Sequence, residues 1–163
     1  MTTQLVLEAI ASVRGVQAVE LARLRNGGAI YQGAAPPYGP ALRDAGFTVL
    51  VLCASEFQPA ATRFPGVKVL RVPLDDVQID APMWQAASTT ARAVARLVRQ
   101  GNKTLITCGF GLNRSSLVSA MTLHELEGIS GAAAVARIRK HQGHGWALYN
   151  QSFREAIEAI PKS

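Results

Sequence analysis

Lys103-Thr104-Leu105-Ile106-Thr107-Cys108-Gly109-Phe110-Gly111-Leu112-Asn113-Arg114-Ser115 is the stretch whose reading decides the fold of this chain. Residues 103–107 read as a strand that runs straight into a loop, and a helix is predicted from Arg114 to Leu126. The loop has the pattern Cys-x5-Arg-Ser. A loop of this length can curl around a tetrahedral anion with successive N–H groups turned inward. Gly109 and Gly111 are expected to supply unusual dihedrals and close backbone approach. The start of the following helix adds a positive end, and the planar fork of Arg114 matches two oxygens of a phosphate. The same field favours the thiolate of Cys108, which makes it a candidate nucleophile, with Ser115 placed to donate a hydroxyl to the sulfur.

Outward from this stretch, strands and helices alternate. Thr48 to Cys53 is a nearly continuous apolar run, as expected of a buried strand in a mostly parallel sheet. Val67 to Val72 and Ala29 to Tyr31 read as further strands. Helices are predicted over 4–14, over 40–45 with Gly46 as stop, from Met83 to Gln100, over 131–140 and over 150–160. Asp80 is the expected cap of the long helix that opens near Pro82. The fold class is therefore α/β, with a central, mostly parallel twisted sheet of four to five strands flanked by helices on both faces. In such sheets ligands bind at the carboxyl ends of strands, which is where Cys108, Cys53 and the Asp75-Asp76 pair fall.

The bulk properties agree with one domain over residues 1–163. The chain is 48% hydrophobic and 17% charged, enough for a real core. Its formal net charge of +6 favours anionic partners, but the arginines are scattered and form no basic tail. Nucleic acid is accordingly not expected as a partner. No apolar run is long enough to span a membrane, and the N-terminal segment is not expected to be a signal peptide. Two cysteines are too few for a disulfide framework and fit a reducing cytoplasm. His124, His141 and His144 lack acidic or thiol companions at ligand spacing, so no metal or other cofactor is expected. Trp84 and Trp146 read as core or rim residues.

The loop resembles that of the protein tyrosine phosphatase superfamily, in its small dual-specificity branch. Other residues carry the likeness in the right order over about residues 28–160: Ile30-Tyr31-Gln32-Gly33, the segment Leu42 to Cys53, Pro73-Leu74-Asp75-Asp76, and Asn150-Gln151-Ser152-Phe153. The resemblance implies a cysteine phosphatase fold, a phosphocysteine intermediate on Cys108, and phosphate held by Gly109, Phe110, Gly111, Leu112, Asn113 and Arg114. It implies a phosphorylated protein or other phosphomonoester as substrate, and a monomer. The family's acid aspartate matches Asp76, with Asp75 as alternate; the plainer reading makes both solvated loop residues. The family usually has His before the cysteine where this chain has Thr107, which removes one support of the nucleophile. A phosphate-binding module without turnover is thus the competing expectation, and phosphoinositide or RNA 5′-phosphate the competing substrates.

Three further readings concern side chains around the loop. Phe110 and Leu112 are expected to face outward at the mouth, and Asn113 to hold loop geometry. Cys53 is a candidate redox partner of Cys108, against the plainer reading of a small buried apolar residue.

Overall fold

The computed structural model describes residues 16–142 and 147–163. The helix expected over 4–14, together with His144 and Trp146, lies outside the described residues. Among the described residues, five strands form one sheet: β1 (Ala18–Arg23), β2 (Ala29–Gly33), β3 (Val49–Ala54), β4 (Lys68–Leu74) and β5 (Lys103–Thr107), in the order β1-β2-β5-β3-β4. Only the β1–β2 pair is antiparallel; β2–β5, β5–β3 and β3–β4 are parallel. Among the described residues the helices are α1 (Ala41–Asp44), α2 (Ala81–Arg99), α3 (Arg114–Glu127), α4 (Gly131–Gln142) and α5 (Gln151–Glu158).

The three inner strands are buried on both faces, and all six residues of β3 are buried, so its apolar run has no solvent side to alternate with. Successive side chains divide between two cores. Ile30, Val49, Val51, Cys53, Ile106 and Cys108 pack with residues of α2, α3, α4 and α5. Ala29, Tyr31, Leu50, Leu52 and Leu105 pack with Leu42 of α1, Phe47 and Phe64. The expectation of helices on both faces holds unevenly: among the described residues one face carries four helices, the other the short α1, a single 3-10 turn at Ala61–Arg63 and loops.

β1 was not anticipated. Ala18-Val19-Glu20-Leu21-Ala22-Arg23 is a sequence of good helix formers, and its pairing with β2, broken by a bulge between Glu20 and Ala22, overrides that propensity.

The register places the site. Gly33 pairs with Thr107, and Thr107 with Leu52, so β2, β5 and β3 end at one level. Cys108 leaves β5 there, and α3 carries the loop's other end away. The first ten residues of α3 are all buried, with Ser115, Ser116, Ser119 and Thr122 among them, and small side chains let this helix lie close against its neighbours. It ends at Gly128 in the left-handed region.

α2 is set by its first turn. Asp80 is extended and its carboxylate accepts from the Met83 amide at 2.9 Å, while a proline occupies the first turn, as the sequence predicted. Ala87, Ala91, Val94, Ala95 and Val98 then bury one stripe. Asp80→Ala is expected to lower unfolding free energy by about 1 kcal/mol, read from urea unfolding with an unchanged m-value.

Candidate active site

The loop from Cys108 to Arg114 is held at both ends and in its middle. Cys108 is buried, and its Sγ lies 3.2 Å from the Ser115 Oγ. Thr107 is buried and donates its hydroxyl to the Val51 carbonyl at 3.0 Å, so it braces β5 against β3 and is turned to the backbone. At the centre, the Gly111 carbonyl accepts from Gln32 Nε2 at 2.9 Å and Gln142 Nε2 at 3.1 Å. Gln32 Nε2 also donates to Ser116 Oγ at 2.6 Å. The Leu112 carbonyl accepts from the Leu148 amide at 2.8 Å.

The two loop glycines differ. Gly111 has φ +71°, and a Cβ there would lie 2.9 Å from the Gly33 carbonyl carbon. Both the dihedral and the contact demand glycine. Gly109 is outside the left-handed region, and a Cβ there would meet only the Arg114 and Glu56 side chains, at 3.4 Å or more. The expectation of unusual dihedrals at both positions is corrected at Gly109, because the tight turn against β2 falls entirely on Gly111.

Arg114 is almost wholly buried and its charge is answered within the protein. Its Nη2 donates to Glu56 Oε1 at 2.7 Å, and its Nη1 to Glu56 Oε2 and to the Leu74 carbonyl at 3.2 Å. This fork holds the Arg114 pKa above its ordinary value, chiefly through the Glu56 hydrogen bonds and against the cost of burial, with smaller support from Cys108, Glu56 and Asp76. The same hydrogen bonds hold Glu56 down to about 2.

Asp75 and Asp76 are both exposed and diverge. Asp75 accepts from the Ser55 hydroxyl, beside Glu56. Asp76 turns to the loop: its Oδ2 accepts from Asn113 Nδ2 at 2.8 Å and its Oδ1 from Asn150 Nδ2 at 2.7 Å. Asn113 is buried and opens α3 without capping it through its side chain; it joins the loop to the aspartate, in keeping with a geometric role. Phe110 is 85% exposed at the mouth. Leu112, expected outside with it, is half-buried, because its carbonyl is tied to Leu148.

Cys53 follows Leu52 as Cys108 follows Thr107, in paired parallel strands, and both side chains join the core under the four helices. Burial pushes the Cys53 thiol well up, the neighbouring Cys108 adds to this, and Arg114 opposes it. Both cysteines are free.

Glu56, Gln32, Gln142 and Asn150 belong to the site and were not singled out as functional residues from sequence; Gln32 lay inside the quoted strand Ile30–Gly33 and Asn150 opened the last helix, while Glu56 and Gln142 had no signal. Ring nitrogens of His124 and His141 hydrogen-bond the Ile129 and Glu20 carbonyls, each at 2.8 Å. Among the described residues, no three His, Cys, Asp or Glu side chains gather as a metal site. No described helix is long and apolar enough to cross a membrane.

This strand–loop–helix geometry is that of a known class of structures. The chain has the dual-specificity-phosphatase-like fold of the protein tyrosine phosphatase superfamily. A single-residue variant of human DUSP28 superposes with a TM-score of 0.67 at 26% identity, over 87% of this chain and 97% of that one. A mouse protein assigned as a dual specificity phosphatase, crystallised with zinc tungstate, gives 0.62 at 28% identity over 80% and 84% of the two chains. A mutant form of Tk-PTP gives 0.64 at 23% identity over 79% and 89%. No protein-family model and no curated protein matches the sequence.

The Glu56–Arg114 pair has a pH signature. With Glu56 at about 2 in the fold and 4.5 as its ordinary value, its contribution to stability is complete above that upper value. It is lost as pH falls through the lower one. Glu56 is largely exposed, so the effect is screened. Glu56→Gln is expected to be less stable than the native chain at neutral pH, with the difference shrinking on acidification. Denaturant unfolding at several pH values measures it, and a pH-independent difference would rule out the pair as its source.

Proposed function

We propose that this chain is a cysteine-dependent phosphatase that hydrolyses phosphomonoesters, phosphotyrosine and phosphoserine or phosphothreonine of proteins foremost. The observation that carries the proposal is the Cys108 sulfur beside the Ser115 hydroxyl, at the end of β5, in a loop closed by a guanidinium already oriented by Glu56. The likeness to human DUSP28 and to the mouse dual specificity phosphatase supports the same class.

In this reading the substrate phosphoryl group sits in the loop from Gly109 to Asn113, with Arg114 binding its oxygens through donors that Glu56 does not take. The Cys108 thiolate attacks phosphorus in line. The P–O ester bond breaks, and the leaving oxygen takes a proton from the Asp76 carboxyl. The S–P bond of the phosphocysteine is then cleaved by water, which gives a proton back to the Asp76 carboxylate, while Ser115 donates to the departing sulfur. Asp76 is favoured over Asp75 because it is the one bonded to the loop. No cofactor takes part. A cytoplasmic location follows from the thiolate, which needs a reducing compartment.

Thr107 favours a second reading, a module that binds phosphorylated ligands without turnover. Its hydroxyl is spent on Val51 and gives the sulfur no support. Turnover of para-nitrophenyl phosphate by the native chain and by Cys108→Ser separates the two. The enzyme reading expects Cys108→Ser to fall to background; equal rates leave the binding module. Asp76→Ala is expected to slow phenyl phosphate by roughly a hundredfold or more and para-nitrophenyl phosphate far less, because the better leaving group needs less protonation. The same leaving-group dependence in Asp75→Ala, and not in Asp76→Ala, would transfer the acid role to Asp75.

The adjacency of the cysteines supports a redox role for Cys53. Hydrogen peroxide converts the Cys108 thiolate to a sulfenic acid, and the Cys53 thiol then displaces the sulfur-bound oxygen as water, forming an S–S bond and protecting Cys108 from further oxidation. Strands in parallel register hold paired Cα atoms near the separation a disulfide spans. Mass spectrometry after mild peroxide is expected to find a Cys53–Cys108 crosslink reversed by a thiol. A Cys108 sulfinate with no crosslink would defeat this role.

A further inference from the structure

One heavily connected polar side chain near the loop is neither on the loop nor on the aspartate segment. It is Asn150, which caps α5. Its Oδ1 accepts from the Phe153 amide at 3.2 Å, as a helix cap should. Its Nδ2 donates to Asp76 Oδ1 at 2.7 Å and to the Val77 carbonyl at 3.0 Å. Its backbone amide donates to Asn113 Oδ1 at 3.0 Å, and Asn113 Nδ2 in turn donates to the other oxygen of Asp76 at 2.8 Å. The circuit closes through three segments remote in sequence. Two residues on, Ser152 Oγ accepts from the Ile79 amide at 2.7 Å and straps the same aspartate segment to the first turn of α5.

An ordinary cap needs one acceptor. Here the side chain supplies an acceptor and two donors, all used, and asparagine is the short side chain that carries both. Serine or aspartate would cap the helix equally well but could not donate in this way to Asp76 and Val77. The residue type therefore answers a demand beyond the helix. That demand is the place of the exposed Asp76 carboxylate, which solvent would otherwise leave free to rotate.

We propose that Asn150 is the positioning residue of Asp76: by donating to Oδ1 while its backbone orients Asn113 onto Oδ2, it fixes that carboxyl against the phosphate loop in the resting protein. The inference rests on the reading of Asp76 as the proton donor and adds where its geometry comes from. The acid is preassembled on the loop, and its placement is coupled to the N-terminus of the last helix.

The test uses Asn150→Ser, which keeps a capping oxygen and exchanges the two amide donors for one hydroxyl, with Asn150→Asp, which keeps the oxygen and has no donor, as a second variant. Thermal unfolding verifies that each remains folded. The readout is the ratio of kcat for para-nitrophenyl phosphate to that for phenyl phosphate. Both variants are expected to lose roughly tenfold to a hundredfold on phenyl phosphate, in kcat more than in KM, with little loss on para-nitrophenyl phosphate, so the ratio rises as it does for Asp76→Ala. The double variant with Asp76→Ala should add little to Asp76→Ala alone. Equal losses on both substrates, or a native ratio, in folded protein would overturn the tether while leaving the phosphatase reading intact. Absence of turnover by the native chain would overturn both.

Discussion

A guanidinium taken out of water must have its charge and its donors answered, and the site is arranged around that requirement at Arg114. Glu56 answers from the loop after β3, the Leu74 carbonyl from the end of β4, and Arg114 itself opens α3. One buried side chain thus joins the ends of two strands to the helix that carries the phosphate loop. A buried ion pair is not a source of stability by itself, since desolvation offsets much of the Coulomb attraction. Its effect is geometric: the planar fork can lie in few ways against a carboxylate. Glu56 remains largely exposed, so most of the desolvation falls on Arg114 alone. An arginine oriented before any anion arrives has less freedom to lose on binding one.

The sheet supplies the other half of that arrangement. Parallel register brings Gly33, Thr107 and Leu52 to one level, and every group argued here sits at or just beyond it. Glu56 and Asp76 follow strands β3 and β4, and Gln32 lies in β2. This concentration at the carboxyl ends is what the alternation of apolar strands and amphipathic helices predicts. The inner strands and the loop were legible because both signals are local: an unbroken apolar run in Val49–Cys53, and a cysteine, a glycine and an arginine at fixed spacing. β1 was not, because its residues favour a helix and only the partner strand decides otherwise. Glu56 was illegible for a related reason. It stands 58 positions from Arg114, in a stretch with no periodicity to mark it. Asn150 lies 74 positions from Asp76, and its cap pattern revealed a helix start while hiding the donors.

The departure at Thr107 takes on a different meaning beside the other contacts. A threonine there braces two strands, and the loop's own support comes from elsewhere. Gln32 and Gln142 converge on one carbonyl, and Gln32 reaches Ser116 as well, 84 positions away in sequence. Gln32 is buried, and its Oε1 has no partner among the described residues, a cost that the two donated hydrogen bonds must outweigh. Such a residue is placed for its donors.

Gly111 shows why that support works. Its left-handed dihedral turns the loop back onto the end of β2, and the absence of a side chain lets its backbone meet that of Gly33. Only with that contact made does the Gly111 carbonyl come within reach of Gln32, one residue before Gly33. A larger residue at 111 would therefore remove more than a dihedral preference. It would part the loop from the strand, cost the Gln32 amide one of its two acceptors, and loosen the turn on which Cys108 and Arg114 depend for their common orientation. The loop's chemistry belongs to its ends, but its shape is held at the glycine between them.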